Sequence, residues 1–341
     1  MTLHPTSVAD LADAVGAASR SGTRILVVGG RQHMDRGNPS ETDTELWTTQ
    51  LDRVIAYEPA EMLAVVEAGL RCGALAGLLG AHAQEWPVDA PTDATVGGVI
   101  AAGVSSARRL RVGHIRDTVA EMELVTGDGR LIKSGARTVK NVSGFDVHRL
   151  ATGSLGTLGV ITQVALKVRP LPETSVTLVA PTGGLPLALE ALEELPGASE
   201  ILAGPDVVGV RLEGWRDEVA TQEAAARELG PFATGVAPGR PGGVTLVEAA
   251  VAPSRLAELV DGIDDWQALV GVGLAWIGAD GPEPLAAIRA RAADLGGIAP
   301  AVRGPGGLGD TQVPGLEIHR RLKASFDPAG ILAPGRFWGS L

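Results

Sequence analysis

Three glycine-bearing stretches in the first half of the chain hold the residues best suited to chemistry. They are Gly29-Gly30-Arg31-Gln32-His33-Met34, Pro91-Thr92-Asp93-Ala94-Thr95-Val96-Gly97-Gly98 and Gly153-Ser154-Leu155-Gly156-Thr157-Leu158-Gly159-Val160-Ile161. Consecutive backbone N–H groups in such loops form concavities that hold phosphate oxygens, because missing side chains let an anion approach and glycine accepts the required dihedrals. None of the three follows the strand, G-x-G-x-x-G, helix order with a later acidic residue that marks a Rossmann site, and no Walker A lysine is present. Nicotinamide and nucleotide-hydrolase chemistry are disfavoured accordingly. Glycine makes up 46 of 341 residues, against a usual share of ~7%, so an ordinary turn is the competing reading for any one loop. The histidines at 4, 33, 82, 114, 148 and 319 never take up a metal-ligand spacing, and no metal is expected. The single cysteine, Cys72, excludes a disulfide framework and every Cys-rich iron–sulfur site. Any electrons must therefore sit on a bound organic cofactor or elsewhere.

The loops need elements to hold them. Ser7 to Ser21 reads as a helix, with Val8, Leu11, Ala12 and Val15 at helical spacing, Ser7 as cap and Gly22 as stop. Arg24 to Val28 is a short buried strand running into Gly29-Gly30. Val54 to Tyr57 and Met62 to Ala68 are strands joined around Pro59, and Cys72 to His82 is a small-residue helix. Val119 to Thr126 and Arg130 to Lys133 form a hairpin, because Gly127-Asp128-Gly129 supplies the turn. Thr157 to Val168 is a long strand that Pro170 stops. Beyond it, strands at Val176–Ala180, Val207–Leu212, Val244–Val251 and Leu269–Trp276 alternate with helices near Leu185–Leu195, Asp217–Leu229, Ser254–Ile263 and Pro284–Leu295. A last helix, Gly315 to Ala324, leads to Asp327-Pro328.

Charge divides the chain at the same place. The formal net charge of −11 argues against nucleic acid as a partner. It is uneven: Val104 to Pro170 has 11 basic and 5 acidic residues, whereas Glu173 to Gly315 has 8 basic and 20 acidic. The longest nearly uncharged apolar stretch, Ala268 to Ala279, is 12 residues long, short of the ~18 that would span a bilayer. Met1 is not followed by a basic-then-apolar signal. The expectation is a cytoplasmic protein without a transmembrane segment, peripheral to a membrane only through partners.

The order and content of the three loops resemble the FAD-binding module of the vanillyl-alcohol oxidase and p-cresol methylhydroxylase superfamily. The most specific part is Lys140-Asn141-Val142-Ser143-Gly144-Phe145-Asp146-Val147-His148-Arg149-Leu150 followed by Gly153 to Ile161, which looks like the FAD-binding E subunit of bacterial glycolate oxidases. Gly97 to Gly103, Arg108-Arg109 and Arg116-Asp117 continue the likeness. His319 to Lys323, Phe326 to Leu332 and Pro334-Gly335-Arg336 resemble the superfamily's closing segment, with Ala333 in place of its usual asparagine.

The resemblance implies an α+β fold: a two-subdomain FAD-binding domain over 1–172, an α+β covering module over 173–315, and a segment over 316–341 that returns to the first domain. It implies that Gly29, Gly30, Arg31, Gln32, His33, Met34, Pro91, Thr92, Thr95, Gly97 and Gly98 serve the FAD pyrophosphate and its surroundings, with Thr95 as a hydroxyl donor. Gly159, Val160 and Ile161 would lie against the adenosine half, and Arg116 would approach the pyrophosphate or form a local ion pair with Asp117. His33 stands where some oxidases of the superfamily attach the flavin, but Gln32 and Met34 depart from that pattern, so a non-covalent FAD is expected. Lys140, Asn141 and Asp146 read either as an active-site group or as a structural turn. The function implied is an FAD-binding subunit of a glycolate-oxidase-like 2-hydroxy-acid dehydrogenase, passing electrons to flavin-containing and iron–sulfur partner subunits. Two further readings stay open: a self-sufficient FAD oxidase or dehydrogenase of another alcohol or sugar, and a non-catalytic assembly subunit. No catalytic base can be named, since 173–315 contains neither histidine nor lysine.

Overall fold

The computed structural model describes residues 2–137, 145–309, 313 and 315–341. The chain forms two units: one made of Met1–Ser106, His114–Leu171 and Gln312–Leu341, the other of Ala107–Gly113 and Pro172–Thr311.

The first unit is built on two main sheets, beside a two-stranded pair of Gln84–Glu85 and Arg169–Pro170. In the smaller, Thr2–Leu3 and Ile25–Val28 flank Thr44–Trp47, all parallel. The helix Val8–Ser21 packs on it. Ser7 Oγ accepts from the Asp10 N–H at its start, and Gly22, at φ 71°, ends it as the sequence predicts. The C-terminal segment closes this sheet: the Ile25 N–H donates to Ile331 O and the Ala333 N–H to Ile25 O, at 2.7 and 2.8 Å. Leu11, Val15, Ile25, Leu46, Val160 and Leu332 form the core there.

The larger sheet is antiparallel, in the order Val54–Glu58, Leu63–Glu67, Val160–Lys167, Val119–Val125, Leu131–Gly135. The hairpin expected at Gly127-Asp128-Gly129 is present, with Val125 opposite Leu131. The last long strand starts at Val160 rather than Thr157, because Ser154 to Thr157 first makes a turn in which Thr157 N and Oγ1 both donate to Ser154 O. The helices Cys72–Gly80 and Val96–Ala102 cover the sheet, burying Leu75, Leu79, Val99 and Ile100 against Val66, Met122, Leu124 and Val164.

The second unit has an eight-stranded antiparallel sheet. The helices Gly184–Glu194, Arg216–Leu229, Leu256–Val260 and Pro282–Asp294 contribute Ala188, Ala191, Val219, Ala226, Leu259 and Ile288 to one core with the sheet's Leu178, Val210, Ile201, Val247 and Ile277. The apolar run Leu269–Trp276 is not a single strand. Trp266–Leu269 and Leu274–Ala279 form a hairpin, because Gly271 and Gly273 take φ of 83° and 78° and reverse the chain. The excursion Ala107–Gly113 joins this unit: Leu110 packs on its core, and Arg108 Nη1 lies 3.5 Å from both oxygens of buried Glu213.

Candidate functional site

The glycine loops of the first unit meet around one open cleft with about 670 Å³ of empty space, lined by Gly29, Gly30, Arg31, Gln32, His33, Met34, Thr95, Gly97, Gly98, Gly159 and Ile161 among others. Eleven of the fifteen residues read from the sequence as cofactor-binding thus share one wall system.

Thr95 is the joint between two of the loops. It is 1% exposed, and its Oγ1 accepts from the Gly98 N–H at 3.2 Å and the Gly30 N–H at 3.3 Å. The first bond caps the helix Val96–Ala102; the second ties the Gly29–Met34 loop to that helix. The glycines are required by proximity. A Cβ at Gly29 would overlap Thr95 Oγ1, one at Gly30 would overlap Asp93 O, and one at Gly97 would lie 2.6 Å from Ala68 Cβ. At Gly98 the added atom would meet only Thr95 Oγ1, at 2.9 Å.

The donors open to a ligand differ from those the sequence suggests. The Gly98 N–H is engaged by Thr95 and the Gly97 N–H donates to Ala68 O at 2.8 Å. In the neighbouring loop, the N–H groups of Arg31, Gln32 and His33 find no acceptor among the described residues. Arg31 there has φ of 62°, a strained value for a residue with a side chain. Successive free N–H groups around a left-handed residue form an anion-binding concavity. Next to it, His33 Nε2 is buried without a hydrogen-bond partner among the described residues. Burial, reinforced by the Arg36 charge, holds its pKa below the ordinary histidine value, so it is neutral at pH 7.

Four expected residues lie elsewhere. Val160 is fully buried in the core beneath the small sheet, while Ile161 faces the cleft, as strand alternation demands. Pro91 and Thr92 form the turn that delivers Thr95: Pro91 O accepts from Ala94 N and Thr92 O from Gly73 N, both at 2.9 Å. Arg116 lines a separate polar basin with Asp117, His148, Arg149 and Lys167. Asp117 pairs there with Arg149, at 3.0 Å, rather than with Arg116 as the sequence suggests. Lys140 and Asn141 lie outside the described residues, and Asp146 makes no side-chain cap to the helix that follows it.

Sequence reasoning left out Val27, Thr48, Ala68, Ala101, Leu155, Gly156 and Arg336, which also line the cleft. Of these, Ala101, Leu155, Gly156 and Arg336 lie inside segments that carry the family likeness, and that was their only signal. Cys72 is buried, which pushes its thiol up to about 11 and leaves it protonated and unreactive at neutral pH. Among the described residues no group of histidine, cysteine and carboxylate side chains could hold a metal.

Comparison with known proteins accounts for this arrangement. Residues 1–135 match the FAD binding domain, and residues 310–337 match the C-terminal domain of FAD linked oxidases. Over both segments the chain is similar to FAD-linked oxidases. FAD is its cofactor, and the cleft suits that ligand: it offers free N–H donors for phosphates and apolar walls from Val27, Ala101 and Ile161. Among the relatives, the glycolate oxidase subunit GlcE of Escherichia coli (strain K12) is 28% identical over 309 residues, 84% of this chain and 85% of that protein. The glycolate oxidase subunit GlcD of Bacillus subtilis (strain 168) is 24% identical, over 88% of this chain and 80% of its own length. A D-lactate dehydrogenase of Archaeoglobus fulgidus is 24% identical over 98% of this chain and 90% of its own. Among solved structures, an alkyldihydroxyacetonephosphate synthase superposes with a TM-score of 0.69 over 98% of this chain and 75% of its own at 17% identity, a likeness of fold.

Proposed function

We propose that this chain is the FAD-binding subunit of a 2-hydroxy-acid dehydrogenase of the glycolate-oxidase type, oxidising a CH–OH group and delivering the electrons to partner subunits, an iron–sulfur protein among them. The observation that supports the flavin part best is the convergence of Gly29–His33, Thr95–Gly98 and Gly156–Ile161 on one cleft. The substrate class rests on relatives named as glycolate oxidase subunits and D-lactate dehydrogenases across most of the chain. Bound FAD would supply the two-electron acceptor. The chain's own residues hold the cofactor. Arg31 to His33 present donors to its phosphates, Thr95 fixes the spacing of the two loops, and Ile161 packs beside it. In this reading the first unit carries the cofactor, and residues 173–315 carry substrate recognition.

Composition supports the need for a partner. Residues 173–315 hold no histidine or lysine to act as base, and one buried cysteine cannot supply an iron–sulfur relay. No helix among the described residues is long and apolar enough to cross a membrane. The test is anaerobic mixing of the flavin-loaded chain with glycolate, D-lactate and D-2-hydroxyglutarate, alone and with co-expressed neighbouring gene products. The expected result is bleaching of the flavin band only with the partner present. Rapid bleaching by the chain alone would refute the subunit reading.

One observation favours a second reading, a self-sufficient oxidase with a covalently held flavin: His33 Nε2 is buried on the cleft wall without a partner among the described residues. Acid precipitation separates the two. Colour released to the supernatant supports the first; colour retained in the pellet, and lost in His33→Ala, supports the second.

A further inference from the structure

Two arginines line the cleft, and no aspartate or glutamate does so among the described residues. Arg31 is already neutralised. Its guanidinium pairs with the Glu45 carboxylate and lies 5.3 Å from the centre of the Trp47 ring. Arg336 is in a different state. It is 7% exposed, and its Nη2 donates to the carbonyls of Met34 at 3.0 Å and Arg36 at 2.7 Å. Carbonyl oxygens orient a guanidinium but do not neutralise it, and no carboxylate lies within ion-pair distance of Arg336 among the described residues. Burial holds its pKa below the ordinary arginine value, and a guanidinium in a protein keeps its proton at neutral pH. A buried charge without a counter-ion is costly, and an anion placed in the cleft would remove that cost.

The position of the two carbonyls narrows the choice of anion. They belong to the loop whose Arg31, Gln32 and His33 N–H groups lack acceptors. Arg336 therefore holds the loop by its carbonyls and leaves the free N–H groups available, while adding a full positive charge to the same cleft. Such a combination suits a compact, multiply charged anion with several acceptor oxygens.

We infer that Arg336 is the counter-ion of the FAD pyrophosphate, contributing charge as well as loop geometry. This rests on the FAD reading of the cleft. Riboflavin shares the isoalloxazine but carries no phosphate, so the ratio of FAD to riboflavin affinity isolates the inference. The experiment titrates the flavin-free full-length chain with both ligands, as wild type, Arg336→Gln and Arg336→Lys. Arg336→Gln is expected to weaken FAD at least tenfold and riboflavin less than threefold. Arg336→Lys, which keeps the charge but presents a single ammonium, is expected to preserve most of the ratio even where both affinities fall. It also carries the test should Arg336→Gln fail to fold. Equal losses for the two ligands in Arg336→Gln, or a ratio lost in Arg336→Lys, would overturn the inference and leave Arg336 a purely structural tie. If riboflavin binds too weakly to measure, the salt dependence of FAD binding replaces the ratio. Arg336→Lys must retain the wild-type dependence, and a flattened one would overturn the inference. A wild-type chain that binds no FAD would instead remove the functional reading beneath it.

Discussion

Replacing Gly29 by alanine tests whether Thr95 is the joint of the cofactor cleft. The added methyl would overlap Thr95 Oγ1 and lie 3.3 Å from Thr95 Cβ and 3.6 Å from Cγ2. The φ of Gly29 lies outside the left-handed region, so alanine meets no backbone penalty, and the clash alone sets the effect. To make room Oγ1 must leave the Gly30 and Gly98 N–H groups. Two hydrogen bonds of ordinary net worth amount to about 1–3 kcal/mol, and overpacking a tight site adds about 1–3 kcal/mol. Gly29→Ala should therefore cost roughly 2–6 kcal/mol, centred on about 4 kcal/mol. Thr95→Ala loses the same two bonds without the clash, about 1–3 kcal/mol. In the double variant Oγ1 and Cγ2 are both gone, and the new methyl faces only the Cβ at 3.3 Å. The second substitution should then cost little, giving a coupling of about 4 kcal/mol between the sites, close to the whole cost of Gly29→Ala. Urea denaturation of the four proteins, without flavin, measures it. Costs that add to within about 0.5 kcal/mol would refute the joint.

Three further outcomes follow from the same geometry. Gly98→Ala, whose methyl meets only Thr95 Oγ1, should change stability by less than about 1 kcal/mol yet reduce FAD affinity; Gly97→Ala, pressed on Ala68 Cβ, should destabilise by about 1–3 kcal/mol, and thermal melts beside flavin titrations compare the two. Lys323→Met should cost about 3–5 kcal/mol, read in denaturant, because it strands buried Asp327 and frees the Thr157 and Leu332 carbonyls that Nζ now holds at 2.9 and 2.7 Å. Burial lowers the pKa of His33 and His148, so the unfolded chain takes up protons first as pH falls. Stability should be flat above the ordinary histidine value and fall below it, and His33→Gln should make that acid-side fall shallower in melts at a series of pH values.

Local elements were legible where a residue has one local job. Ser7 and Gly22 bound the first helix, and Gly127-Asp128-Gly129 makes the hairpin, because capping and turn chemistry act over a few residues. The family likeness placed the three loops in one site. What the sequence did not show depends on partners distant along the chain. Arg336 meets Met34 and Arg36 across some 300 residues, and Thr95 reaches Gly30 across 65. Neither contact leaves a periodicity or a motif. The side chain of Val160 points into the core, since strand parity sends that of Ile161 to the cleft. Ala107–Gly113 joins the second unit through Leu110 and Arg108, whose neighbours Leu192 and Glu213 lie much later in sequence.

Titration of the purified, flavin-free chain with FAD, followed by the quenching of flavin fluorescence and by calorimetry, bears most directly on the cleft as a cofactor site. The geometry of Gly29–His33, Thr95–Gly98 and Gly156–Ile161 predicts one FAD per chain, with affinity lost in Gly98→Val while circular dichroism is retained. A chain that binds no FAD, or whose Gly98→Val variant binds it as tightly as the parent, would contradict the account.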